Sequence, residues 1–291
     1  MIHPACNQPL SQQLVAQLSA WRRHFHAHPE PSGQEEQTAA FVATELRRMG
    51  YEPREHVGGT CGLVADFDGP GGTRIALRAD MDALPINEET GLEFASRSPG
   101  VMHACGHDAH LAMLLGAAQL LIERQRELKT SVRLIFQAHE ECRPGGALPL
   151  IEVGVLDGVS RIFGLHIWSE MPLGTLGTRV GPFMSGVTDF RITIRGRGGH
   201  AAMPQQCVDP IIVAAEVVTA VQTIASRSLA MTDNSVVSVT QFHAGTADNI
   251  IPATAMLGGT IRTLSDAVGA TIGRRMRAIV EGVAQAHRAT A

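Results

Sequence analysis

The chain has 291 residues, 44% of them hydrophobic and 18% charged, with a formal net charge of -4. That length exceeds what one hydrophobic core usually serves, since domains run roughly 100 to 200 residues, so two domains are expected. The slightly negative balance supplies no basic field for a phosphate backbone, which excludes nucleic acid as an expected partner.

Leu14, Leu18, Trp21 and Phe25 recur at three- and four-residue spacing and predict an amphipathic helix that ends before Pro29. A second helix is expected from about Gln34 to Met49, with Ala39, Phe41, Val42 and Leu46 inward and Gly50 as its stop. Short apolar runs at Gly62–Asp66, Arg74–Ala79, Val132–Phe136 and Arg161–Leu165 read as buried strands. Between them, about Ala109 to Glu127 and Gly145 to Val153 read as helices. This alternation implies an α/β domain with a largely parallel sheet, whose functional groups gather just past the strand ends.

After Gly181–Pro182 the rhythm changes, and Phe190, Ile192 and Ile194 alternate with polar residues. Helices are expected over Pro210–Ser226 and Asp266–His287, and strands over Val236–Phe242 and Ala255–Arg262. The order implies a smaller α+β domain, a sheet with one solvated face and two helices on the other. The expected division is 1–186 and 187–291.

No stretch of about 18 uncharged apolar residues occurs, and the start, MIHPACNQPLSQQ, lacks the features of a secretory signal. No membrane partner and a cytoplasmic location are therefore expected. Cys6, Cys61, Cys105, Cys142 and Cys207 are odd in number and scattered, which reads as reduced thiols rather than a disulfide framework. Thirteen histidines, several beside acidic residues or cysteine, direct attention to metal chemistry.

The densest cluster is His103-Ala-Cys105-Gly-His107-Asp108-Ala-His110, just before a predicted helix. A thiolate and an imidazole straddling Gly106 can face one ion, because glycine lets the backbone fold tightly. At the end of the strand Val132–Phe136 stand Glu140 and Glu141. Adjacent carboxylates repel each other unless a positive charge sits beside them, so one suits a metal and the other a general base. The strand Arg161–Leu165 leads into His166, which taken singly is more often structural. Asp80 and Asp82 follow the strand Arg74–Ala79 and serve equally well to steady a ligand imidazole or to cap a turn. In the second domain, Gly196-Arg-Gly-Gly199-His200 is a glycine-rich turn presenting one histidine, which could donate to a substrate oxygen.

These residues resemble the aminoacylase and carboxypeptidase-like family of two-metal amidohydrolases, in its hippurate hydrolase and N-acyl-amino-acid amidohydrolase branch. The matching stretches are WRRHFHAHPE from Trp21, ALRADMDALPI from Ala76, GVMHACGHDAH from Gly100, LIFQAHEE from Leu134, FGLHIW from Phe163, GRGGHAAMP from Gly196, VSVTQFHAGTADNIIP from Val237 and GGTIRT from Gly258. The resemblance implies a zinc-peptidase-like catalytic domain and a lid domain of ferredoxin-like sandwich type, through which two chains form a homodimer. It implies Cys105, His107, Glu141 and His166 as metal ligands, Glu140 as general base and Asp80 as a carboxylate near the metals. His200 would reach the partner's active site and polarise the scissile carbonyl, and Asn249 and Arg262 would hold the substrate's polar groups or carboxylate. Two divalent metal ions are implied, zinc or manganese before cobalt or nickel, with a small-molecule N-acyl amino acid as substrate.

Family members continue past the lid and return to the catalytic domain with a final ligand in a His-His-Pro segment, whereas this sequence stops at Ala291. One ligand is therefore expected to be absent and an apolar sheet edge to be exposed. His139 stands where this branch carries alanine, and Arg78 where other branches carry histidine. Two competing readings are a catalytically impaired homologue that acts as a binding or dimerisation protein, and a dipeptidase of the same superfamily. The Cys105 cluster favours the N-acyl branch.

Overall fold

The computed structural model describes residues 9–291, which divide into two compact units at Leu173/Gly174. Residues 174–185, assigned to the first domain from sequence, group with the second unit and form no helix or strand.

In the first unit, α1 (Gln12–Ala27) begins where the Ser11 hydroxyl accepts from the Leu14 N–H at 3.2 Å. That contact satisfies one of the orphan donors of the first turn. Helix α2 (Glu36–Met49) ends at Gly50, whose φ of 97° is open to glycine at little cost. Strands β1 (Leu63–Phe67), β2 (Arg74–Asp80), β3 (Ser131–Gln137) and β4 (Val159–Gly164) form one sheet in the order β1-β3-β2-β4. The β2–β3 and β2–β4 pairs are parallel and β1–β3 is antiparallel, so the sheet is mixed and mostly parallel.

All seven residues of β3 are buried, which is why it reads as a continuous apolar run with no alternation. Leu134 and Phe136 pack with Trp21, Phe25, Leu46 and Leu111, from α1, α2 and α3 (His107–Glu123). Ile135 points to the opposite face and packs with Val64 and with Leu150 of α4 (Ala147–Glu152). Burying each such side chain stabilises the fold by roughly 1.5–3 kcal/mol. Strand β4 is an edge, and Ile162 and Phe163 along it and Leu165 just after it are about half exposed. The α3 helix starts two residues earlier than periodicity implied, so His107 lies in its first turn. It also ends earlier, and Gln125–Glu127 form a separate 3-10 turn.

The second unit contains β5 (Gly186–Arg195), the short β6 (Gly199–His200), α5 (Pro210–Val221), α6 (Thr223–Arg227), β7 (Ser235–Ala244), β8 (Ile250–Ile251), β9 (Thr254–Thr263) and α7 (Asp266–Ala286). The main sheet is antiparallel in the order β5-β9-β7, and β6 pairs with β8 in a separate ladder that the sequence did not reveal. Ile192, Ile194, Leu257 and Ile261 on one sheet face pack with Val213 and Val217 of α5 and Ile272 and Met276 of α7. The stretch Pro210–Arg227 is long and apolar enough by composition to cross a membrane. It nevertheless carries Glu216 and Arg227, and its buried face belongs to this core.

A cross-strand ion pair fastens β1 to β3. Arg133 places Nε and Nη2 on the two oxygens of Asp66 at 2.7 and 2.8 Å, while Nη1 donates to the Val155 carbonyl at 2.6 Å. Desolvation raises the Asp66 pKa, but the Arg133 guanidinium more than offsets that and holds the carboxyl below its ordinary value. A depressed carboxyl contributes stability above its unfolded pKa and loses it as pH falls through the folded one. Asp66→Asn should therefore cost about 2 kcal/mol at pH 7, less than a fully buried pair because Asp66 keeps some solvent contact. Urea unfolding checks this, and the difference from wild type should shrink as pH falls below about 3.9.

Candidate metal centre

The site lies past the C-terminal ends of the parallel strands β2 and β3, where such sheets collect functional groups. Strand β2 ends in Asp80, followed by Met81 and Asp82; β3 ends in Gln137, followed by Ala138, His139, Glu140 and Glu141. The turn before α3 supplies Cys105 and His107. Between them Gly106 has φ 85°, and a Cβ there would lie 3.2 Å from the Ile167 side chain, so glycine meets both a backbone and a space requirement.

One sulfur of Cys105, one ring nitrogen of His107 and one oxygen of Glu141 lie within 4.8 Å of one another. His107 Nε2 and Glu141 Oε1 are 3.6 Å apart, and both are buried without a hydrogen-bond partner among the described residues. Such orphaned groups are costly unless something meets them, and a thiolate, an imidazole and a carboxylate suit a divalent cation. His166 Nε2 stands 3.5 Å from the Cys105 sulfur. Four residues expected as ligands are thus brought together.

Asp82, which sequence left open as an imidazole partner or a cap of the turn Ala83-Leu84-Pro85, stands beside the His107 imidazole and bonds the segment after β3 in place of that turn. Its Oδ2 accepts from the Glu140 and Glu141 backbone N–H groups, each at 2.9 Å, and from the Ser32 hydroxyl at 2.6 Å. Its backbone carbonyl accepts from His107 Nδ1 at 2.7 Å, and its Oδ1 lies 3.3 Å from the same nitrogen. With Nδ1–H so engaged, Nε2 is left to face the cluster. Desolvation raises the Asp82 pKa, yet these donors bring it down to about 2. Asp80 binds Arg78 Nη1 at 2.6 Å and His110 Nδ1 at 2.6 Å. His110 also lies in a second grouping, with Asp80 and His107, that no sequence argument had singled out.

The electrostatics favour added positive charge. Burial lowers the His107 pKa, but Asp82, Cys105 and Asp80 reverse that and push it up to about 11. The His107 contact draws the Cys105 thiol down, while desolvation and Glu141 carry it above its ordinary value. Desolvation and the charge of Glu141 raise Glu140, the shift a proton acceptor near neutral pH needs. His139, just before the glutamates, holds a left-handed backbone at φ 56°. Its N–H donates to the fully buried Glu35 at 2.8 Å and its carbonyl accepts from Gly146, which over-determines that conformation.

The remaining expected residues lie in the second unit. His200 is exposed on β6, where its Nδ1 accepts from the Ala202 N–H at 3.1 Å. The Asn249 carbonyl accepts from the Ala201 N–H at 3.0 Å, which ties these two segments together. Arg262, exposed on β9, lines an open cavity of about 370 Å³ with Ser185, Asn234 and Val236.

The peptidase family M20/M25/M40 matches residues 76–286, which span every group of this centre except the supports Ser32 and Glu35 between α1 and α2. The chain belongs to that family. It is an enzyme of the family's amidohydrolase type. It is 44% identical over 281 residues to an N-acyl-L-amino acid amidohydrolase of Geobacillus stearothermophilus, covering 97% of this chain and 76% of that protein. It is equally 44% identical over 283 residues to thermostable carboxypeptidase 1 of Saccharolobus solfataricus, covering 95% and 72%. Among solved structures, the Bacillus subtilis YXEP protein, a dinuclear metal binding peptidase of the M20 family, superposes with a TM-score of 0.82 at 39% identity, covering 96% and 73%.

Because Asp82 satisfies two backbone donors and steadies His107, Asp82→Ala should destabilise the first unit by about 2–4 kcal/mol through unpaired buried groups. Chemical denaturation of the metal-free protein measures it; a loss under 1 kcal/mol would remove Asp82 from the centre of this network.

Proposed function

We propose that this protein hydrolyses the amide bond of N-acyl amino acids with two divalent metal ions held by Cys105, His107, Glu141 and His166. The observation that carries the reading is the convergence of the Cys105 sulfur with two buried, unpartnered ligand atoms, His107 Nε2 and Glu141 Oε1. The similarity to an N-acyl-L-amino acid amidohydrolase and to a dinuclear metal binding peptidase supports it. Zinc or manganese is the first expectation for such donors, and cobalt and nickel fit the same set.

Divalent ions bound there supply Lewis acidity toward the amide carbonyl and the attacking water. Glu140 takes the proton of that water and returns it to the leaving nitrogen, a task suited to its raised pKa. Glu140 and Glu141 divide the work because Asp82 fixes both of their backbone N–H groups and leaves their carboxylates separately aimed. Asp80, engaged by Arg78 and His110, acts on the electrostatics around His107. In the lid, His200 steadies the oxyanion while Arg262 and Asn249 hold the substrate carboxylate. A homodimer formed through the lid brings His200 of one chain to the other's centre.

A peptidase reading has a specific support in the equal identity to a carboxypeptidase. The bond cut is of the same kind, and the two differ in what lies on the acyl side. Hydrolysis of N-acetyl amino acids and hippurate in preference to free dipeptides supports the amidohydrolase; the reverse preference supports the peptidase.

Glu140→Gln should lower kcat by roughly 10²–10⁴-fold while metal content, measured by elemental analysis, stays near wild type. Loss of metal in that variant would make Glu140 a ligand and overturn its assignment. Arg262→Ala should raise KM for an N-acyl amino acid on the order of ten- to a hundredfold with a smaller change in kcat, read from steady-state kinetics. An unchanged KM would remove Arg262 from carboxylate binding.

A further inference from the structure

His110 lies one turn along α3 from His107, and both of its ring nitrogens are engaged. Nδ1 is 2.6 Å from Asp80 Oδ1, and Nε2 is 2.9 Å from the backbone nitrogen of Ile167. An amide N–H can only donate, so Nε2 is the unprotonated nitrogen and Nδ1 carries the hydrogen that Asp80 accepts. The lone pair that would hold an ion is therefore already committed. Although Asp80, His107 and His110 cluster as metal sites do, their hydrogen bonds describe a support.

The support is continuous. Gln137 Oε1 accepts from Arg78 Nε and Nη2 at 3.0 and 2.9 Å, Arg78 Nη1 donates to Asp80 Oδ2, and Asp80 Oδ1 meets His110. From His110 the connection passes to Ile167, so that β3, β2, α3 and the segment after β4 are joined in one chain of polar contacts. At its far end stands His166, which is exposed and follows the edge strand β4. The Ile167 N–H belongs to the peptide bond joining Ile167 to His166, so a bond to it fixes the peptide plane next to the His166 Cα. The His110 ring also meets the His166 ring edge-on, with centroids 4.9 Å apart.

We propose that His110 is a positioning residue that holds His166 against the Cys105–His107 turn, and that it is not itself a ligand. The proposal rests on the metal reading given above and assigns the neutral Nδ1–H form to His110. Without the Ile167 contact, His166 would swing on an exposed edge, while Cys105, His107 and Glu141 would keep their own supports from Gly106 and Asp82.

Two near-isosteric variants separate the roles of the two nitrogens. His110→Asn keeps a donor near the Nδ1 position for Asp80 but does not extend to Ile167, whereas His110→Gln carries an amide oxygen that reaches toward the Ile167 N–H. The purified chain, stripped of metal and titrated with cobalt(II), is followed by the thiolate-to-cobalt absorption band and by equilibrium dialysis. The expected result is that both variants keep the thiolate band, that His110→Asn binds cobalt about 10- to 100-fold more weakly, and that His110→Gln recovers most of that loss. Wild-type affinity in His110→Asn would overturn the proposal, as would a His110→Gln variant that loses as much as His110→Asn. Absence of cobalt binding by the wild type would overturn the metal reading and this proposal with it, so the two failures are distinguishable.

Discussion

Negative charge packed at the ends of two parallel strands is the constraint on which the rest of the first unit depends. Asp80, Asp82, Glu140 and Glu141 all emerge there, joined by the Cys105 thiol. Carboxylates this close stay ionised only when cations or hydrogen-bond donors face them. Arg78 and Ser32 answer part of the demand, and backbone N–H groups answer more. What is left gathers on His107, whose pKa rises to about 11 despite burial. The acidic surroundings that raise His107 favour positive charge at this place, which a divalent cation on Nε2 would supply in a proton's stead.

The scaffold separates donors that support from donors that stay free. Each carboxylate of the Asp80/Asp82 pair has at least one oxygen fully used within the protein, and the backbone around Glu140 and Glu141 is pinned by Asp82. His107 Nε2 and Glu141 Oε1, which face each other at 3.6 Å beside the Cys105 sulfur, are among the buried atoms left without a partner. Left-handed backbone occurs here as well, strained at His139 and accommodated by glycine at Gly106 just before α3. Polar support and backbone strain thus occur within a few residues of the same centre, as is common where geometry must be held for chemistry.

The second unit uses different physics. Its three-stranded sheet is covered on one face by α5 and α7, and the polar residues proposed to meet substrate stand on exposed segments. His200 and Asn249 are brought near each other by the β6–β8 ladder and the Ala201 contact, although they are far apart in sequence. Arg262 is an exposed position on a long strand, next to the core residue Ile261.

Local pattern alone determined most of the elements. The three- and four-residue spacing of Leu14, Trp21 and Phe25, the apolar run of β3 and the glycine at the end of α2 each act through short-range physics, and each element stands where it was expected. The proposed ligands Cys105, His107 and Glu141 were legible because the first two flank a glycine and the third follows a buried strand. The β6–β8 ladder was not legible, since two-residue strands have too little periodicity to detect. Only the tertiary structure decided which acidic residues support and which remain open: Asp82 and Glu141 have the same charge, and their difference lies in partners from distant segments. The same holds for His107 and His110, three residues apart on one helix, because the nitrogen left free on one is bound to the Ile167 backbone on the other. Hydrogen bonding between remote segments selects among chemically identical side chains, and that selection exists only once the chain is folded.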